Sequence, residues 1–163
     1  MAASQHDGIT GLILNKFNIK LLSSRLVEIT EWLTQNQSFT GLLLGYFGTS
    51  TGTAAVLNAS SNSRTYKFVN AIVSRSGRPD FVGRNGLRLV TVPTLFIVGG
   101  SDYPEVINWN KSALRDIGSE KKKVVVVANA THLFEEDGAL EEVAKLASGW
   151  FRCFFQIKSH QSA

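Results

Sequence analysis

Leu44-Gly45-Tyr46-Phe47-Gly48-Thr49-Ser50-Thr51-Gly52-Thr53-Ala54-Ala55 is the stretch on which the reading of this chain turns. An apolar run ends in Gly48-Thr49-Ser50-Thr51-Gly52, a G-x-S-x-G, and small helix-compatible residues follow. A strand that turns sharply into a helix holds the central serine in a strained backbone conformation and lifts its Oγ clear of the chain. Side chains two residues to either side are expected to clash, which is the reason for glycine there. Ser50 then stands at the N-terminal end of a helix, and the Thr51 amide points toward any oxyanion developing on a group attacked by the serine. The competing reading is a Gly/Ser/Thr turn in which Ser50 or Thr51 caps the helix. No Lys-Ser/Thr follows to make a phosphate-binding loop, and G-x-G-x-x-G is absent.

Outward from this stretch, four apolar runs have strand length: Leu42 to Phe47, Phe68 to Val73, Thr94 to Val98 and Val124 to Ala128. None alternates cleanly between polar and apolar residues, which suits strands of a parallel sheet buried on both faces. Helical spacing lies between and around them. Ile19, Leu22, Leu26, Ile29 and Leu33 recur on one face behind Asn18 as N-cap. Thr51 to Ser60 forms a short helix, and Pro104 to Ile117 another, with proline near its start and Gly118 past its end. Leu140, Val143, Ala147, Trp150 and Phe154 mark the last. The order is helix, then β-α-β-β-α-β-α, with a less regular stretch from Ser74 to Val92, and it predicts an α/β fold with a mostly parallel sheet flanked by helices.

The remaining chemistry sits at predicted strand ends. Asp102 follows the third strand through Gly99-Gly100-Ser101, which lets an acid swing toward a neighbouring loop. Alone, it reads equally well as a cap for the helix starting near Pro104, and Asp80 in the preceding loop is a rival acid. His132 follows the fourth strand in Asn129-Ala130-Thr131-His132-Leu133-Phe134. His6 and His160 lie near the chain ends, so His132 is the base available to Ser50. Nucleophile, acid and base in the order Ser, Asp, His, each after a strand, is the order of the α/β-hydrolase triad. Arg75 and Arg78 follow the second strand on the same rim and are candidates for binding an anionic substrate group. Cys153 reads as a small buried hydrophobe of the last helix.

Composition narrows the function classes. Of 163 residues, 44% are apolar and 18% charged, so the chain can bury one core and is not of disordered type. The net charge of +4 owes much to Lys121-Lys122-Lys123, and no long basic stripe interleaved with aromatics points to nucleic acid. No apolar run is long enough to span a bilayer. A single cysteine and the absence of a readable signal peptide point to the cytoplasm, so the sequons at Asn36, Asn58, Asn110 and Asn129 read as chance. The reading calls for no metal and no organic cofactor.

From about Asn18 to Phe155 the chain resembles α/β-hydrolases of the dienelactone hydrolase-like superfamily, in a serine-nucleophile group whose members occur alone or fused to phosphoribosyltransferase domains. The resemblance rests on four stretches: Gly45 to Gly52, Ser74 to Asp80, Pro93 to Asp102 and Ala130 to Glu135. It implies a nucleophile at Ser50, an acid at Asp102 and a base at His132. Dienelactone hydrolases in the strict sense carry cysteine at the elbow, where this chain has Ser50. Such folds also begin with further strands, and a loop after the third gives the second oxyanion-hole amide. Residues 1–163 are therefore expected to be a single, truncated α/β-hydrolase domain, its C-terminal part. Its uncharged, proline-free strand 42–47 is expected to form an open edge that pairs with a second copy or with the missing N-terminal segment. Two function classes follow: a serine hydrolase acting on a small ester, thioester or lactone, and a non-catalytic interaction module or inactive fragment retaining a relic triad.

Overall fold

The computed structural model describes residues 18–156. Five α-helices and four strands alternate: α1 (Ile19–Gln35), β1 (Leu44–Thr49), α2 (Thr51–Ser60), β2 (Val69–Arg75), α3 (Gly83–Arg88), β3 (Thr94–Gly99), α4 (Pro104–Asp116), β4 (Lys122–Val127) and α5 (Ala139–Gln156). The strands form one parallel sheet in the order β1-β2-β3-β4. The stretch between β2 and β3, expected to be irregular, holds a 3-10 turn at Pro79–Val82 and the six-residue α3. That helix is too short for periodicity to reveal it.

The sheet separates two apolar layers because side chains alternate across it. On one face Tyr46, Ile72 and Phe96 pack with Val27 of α1, Val56 and Leu57 of α2, and Ala113 of α4. On the other, Val73, Leu95 and Ile97 pack with Phe134 and with Val143 and Ala147 of α5. Only β2 and β3 are buried on both faces, as inner strands must be. The edge strands β1 and β4 are half-exposed, contrary to the continuous-run expectation. β4 also starts earlier than its apolar run, at Lys122, because an edge strand tolerates lysines that reach solvent.

Helix faces shift slightly from the predicted ones. Asn18 does cap α1, its Oδ1 accepting the Leu21 N–H at 3.0 Å. Yet α1 buries Val27 and Thr30 while Ile29 is exposed. Thr30 can be buried because its hydroxyl pairs with the Tyr46 phenol at 2.6 Å and donates to the Leu26 carbonyl at 2.8 Å. Burial pushes the Tyr46 phenol above its ordinary pKa. In α5, Leu140 is exposed, and so is Cys153, which corrects the expectation of a buried thiol. No helix among the described residues is long and apolar enough to cross a membrane.

Gly99, the last residue of β3, fits tightly against the loop that follows β4. A Cβ there would lie 2.2 Å from the Ala130 carbonyl oxygen and 2.7 Å from that of Thr131. Backbone cannot step aside cheaply, so Gly99→Ala should destabilise the protein by about 1–3 kcal/mol. For a domain of this size that lowers Tm by roughly 2–4 °C per kcal/mol. A thermal melt at the wild-type temperature would show that the loop can retreat from the strand.

Candidate active site

Ser50 bridges β1 and α2 at φ 48° and ψ −123°, a conformation that costs a non-glycine residue about 1–3 kcal/mol. The surroundings hold it there. Its N–H donates to the Arg75 carbonyl at 3.1 Å, and its own carbonyl accepts the N–H groups of Thr53 (3.1 Å) and Arg78 (3.0 Å). Gly48 is needed as expected, since a Cβ would lie 2.8 Å from the Thr53 Cα and 2.8 Å from Val56 Cγ2. Gly52 is not: a Cβ there meets nothing within 4 Å, because the second helical position faces open space among the described residues. Ser50 makes no side-chain cap bond, so the capping alternative is not what the residue does. Thr51 opens α2, and its N–H has no acceptor among the described residues.

Asp102 lies past β3 with its side chain fully buried. One oxygen, Oδ1, accepts the Tyr103 N–H at 2.7 Å and meets His132 Nδ1 at 2.9 Å. The other, Oδ2, accepts the Ser76 hydroxyl and lies 3.1 Å from the same Nδ1. Asp102 does not cap α4, which has no side-chain cap bond and begins with proline at its first position. Asp80 is engaged elsewhere: the Arg78 fork grips it through Nε at 2.9 Å and Nη2 at 2.7 Å.

His132 rides on the loop from β4 to α5, which is held by the Ser101 N–H bond to the Ala130 carbonyl at 2.9 Å and by two further contacts. Phe134, at φ 59°, is wholly buried against β2 and β3. The Glu136 carboxylate accepts the Thr131 N–H at 3.1 Å, and hydrogen bonds from Thr131 hold that carboxyl below its ordinary pKa. His132 is 27% exposed at its side chain, and with Ser50 it lines one cavity of about 330 Å³. Arg78, Tyr103, Glu105, Val106 and Trp109 complete the lining.

Of the two arginines proposed from sequence, Arg78 reaches this cavity. Its guanidinium lies between the rings of Phe81 (3.9 Å) and Trp109 (4.0 Å). Arg75 is not among the lining residues: its guanidinium lies over Phe134 at 5.6 Å, and its Nε is buried without a hydrogen-bond partner among the described residues. Sequence reading missed Ser76, Tyr103, Glu105 and Trp109. Tyr103, beside Asp102, was within reach of that reading; the contact from Ser76 crosses 26 residues and left no local signal.

No family model matches the chain. The crystal structure of dienelactone hydrolase from Anabaena variabilis superposes with a TM-score of 0.82 at 45% identity, over 92% of this chain and 68% of that one. The chain belongs to the dienelactone hydrolase-like α/β-hydrolases. Two Mycobacterium tuberculosis proteins named phosphoribosyl transferases, from strains CDC 1551 and H37Rv, are each 49% identical over 137 residues. Those residues are 84% of this chain, which spans 30% of the length of those relatives. The esterase domain of a Rhodothermus marinus protein shares the fold at 16% identity and a TM-score of 0.66, covering 82% of this chain and 69% of that one. This member of the dienelactone hydrolase-like group carries serine at the elbow.

The Glu136 tie has a definite pH dependence. A lowered carboxyl pKa means that the contact is at full strength above the ordinary glutamate value and is lost as pH falls through the lowered one. The Thr131 amide resonance should therefore titrate with a midpoint below about 4.3. A midpoint at or above that value would remove Glu136 as the anchor of the His132 loop.

Proposed function

We propose that this chain carries the catalytic centre of a serine hydrolase acting on an ester, thioester or lactone. The observation that carries this reading is that Ser50, strained at φ 48°, shares a cavity with His132, whose Nδ1 is bonded to the buried Asp102. Hydrolases and esterases among the structural relatives support the same class.

In this mechanism His132 Nε2 takes the proton from Ser50 Oγ as the oxygen attacks the substrate carbonyl carbon. Asp102 keeps the hydrogen on Nδ1, so that Nε2 presents its lone pair, and it stabilises the imidazolium that forms. The Thr51 N–H donates to the carbonyl oxygen as it gains charge. His132 then protonates the departing alkoxide or thiolate, leaving Ser50 acylated. Water, deprotonated by His132, attacks the acyl carbon, and Ser50 leaves with the proton back on its oxygen. Arg78, which lines the cavity, is proposed to meet an anionic substrate group; Arg75, turned over the Phe134 ring, is not. With Asp80 bound, Arg78 offers directed N–H groups rather than an uncompensated charge. Among the described residues β1 is paired on one side only, by β2, and its other edge is proposed to pair with a strand of a second copy or of another segment. The lone cysteine fits a cytoplasmic protein.

Ser50→Ala should abolish labelling by a fluorophosphonate probe and hydrolysis of a p-nitrophenyl ester, while circular dichroism stays unchanged. Full activity in that variant would remove Ser50 as nucleophile. Asp102→Asn should lower kcat far more than Asp80→Asn, by up to about 10⁴-fold, because the amide imposes the wrong imidazole tautomer. The reverse ranking would transfer the acid role to Asp80.

A further inference from the structure

Ser76 is buried at the first position past β2, in a backbone conformation that favours glycine (φ 41°). Its N–H donates to the Ile97 carbonyl at 2.8 Å, extending the β2–β3 pairing by one step. Its hydroxyl donates to Asp102 Oδ2. The direction is unambiguous, since an ionised carboxylate only accepts. Were backbone geometry the whole requirement, glycine would meet it without strain. Gly77 is a glycine for a different reason: a Cβ there would strike the Ser74 and Thr53 hydroxyls at 2.2 Å and 2.4 Å. The strained position thus carries the residue with a hydroxyl, and the unstrained one next to it carries none.

The two oxygens of Asp102 are held by different donors. Tyr103 N–H holds Oδ1 and Ser76 holds Oδ2, which locks the plane of the carboxylate. Without Ser76, Oδ2 would retain only the 3.1 Å contact to His132 Nδ1. We propose that Ser76 is a positioning residue: it fixes the Asp102 carboxylate so that His132 is presented to Ser50 in one orientation and one tautomer. Its kinetic consequence rests on the hydrolase reading; its effect on His132 does not.

Donation by Ser76 draws negative charge away from Asp102, so its loss leaves more charge to stabilise protonated His132. The other groups facing His132 are Tyr103, with its ring 6.1 Å away, Glu105 and Arg78 across the cavity, and Glu135 on its own loop. A change at Ser76 alters none of these side chains.

The test compares wild type with Ser76→Ala and Ser76→Gly, reading the His132 titration by NMR and steady-state hydrolysis of a p-nitrophenyl ester. Both variants should raise the His132 midpoint and lower kcat by about tenfold or more, the scale of a hydrogen bond to a charged group, with KM within about twofold. Ser76→Gly should melt above Ser76→Ala, because glycine accepts the backbone conformation, yet recover none of the activity. An unmoved His132 midpoint in both variants would overturn the proposal. So would wild-type kinetics in Ser76→Gly, which would reduce Ser76 to a backbone role. The titration needs no turnover: if wild type proves inert to the ester and the probe, the hydrolase reading fails while the His132 midpoints still decide the role of Ser76.

Discussion

Hydrogen bonds that carry the parallel ladder past the ends of the strands hold the site together. Ser50 N–H bonds to the Arg75 carbonyl, Ser76 N–H to that of Ile97, and Gly100 and Ser101 N–H to those of Val127 and Ala130. Each loop is thus stitched to its neighbour at the point where it leaves the sheet. Without those bonds Ser50 and Ser76 would relax out of the left-handed region, since nothing local favours it for serine. With them, strain is stored where the chain needs a side chain aimed upward rather than along a strand. The four non-glycine residues with positive φ among those described, Ser50, Ser76, Asn129 and Phe134, all lie in these loops.

A second constraint is electrostatic. Asp102 has no exposed side-chain surface, and a buried carboxylate is costly unless it is well hydrogen-bonded. Three groups supply those bonds. They are a backbone amide next to it in sequence, a hydroxyl from the β2 loop and the imidazole from the β4 loop. They belong to three different crossings of the sheet, so the carboxylate ties together the loops that follow β2, β3 and β4. The aromatic enclosure of Arg78 has a similar effect on the opposite wall. There Phe81, Trp109 and Asp80 fix a long side chain beside Ser50 that would otherwise sweep through solvent.

The fold was largely legible because burial leaves a linear trace. β2 and β3 are continuous apolar runs since both their faces are covered, and α2 is rich in small residues because it lies close against β1. The exceptions are equally physical. The start of β4 hid in a lysine run, and α3 was too short to show a period. Thr30 was missed as a core residue because its burial depends on the Tyr46 hydroxyl 16 residues away. At the candidate site, Ser50, Asp102 and His132 could be named from motif and order. The demand for glycine at position 52 could not be upheld, because open space on one side of a helix start is not encoded by the elbow motif.

The sequence by itself therefore determined the α/β class, the strand–turn–helix that presents Ser50, and the order of the three chemistry-bearing residues along the chain. These depend on neighbours within a few positions, where steric rules and periodicity act directly. Only the tertiary structure decided which acid meets His132, which arginine reaches the cavity and which residues brace Asp102. Asp102 and Asp80 have the same side chain, as do Arg75 and Arg78. What separates the members of each pair is the direction in which the backbone points them at the top of the sheet, and the partners waiting there come from segments far away in the chain.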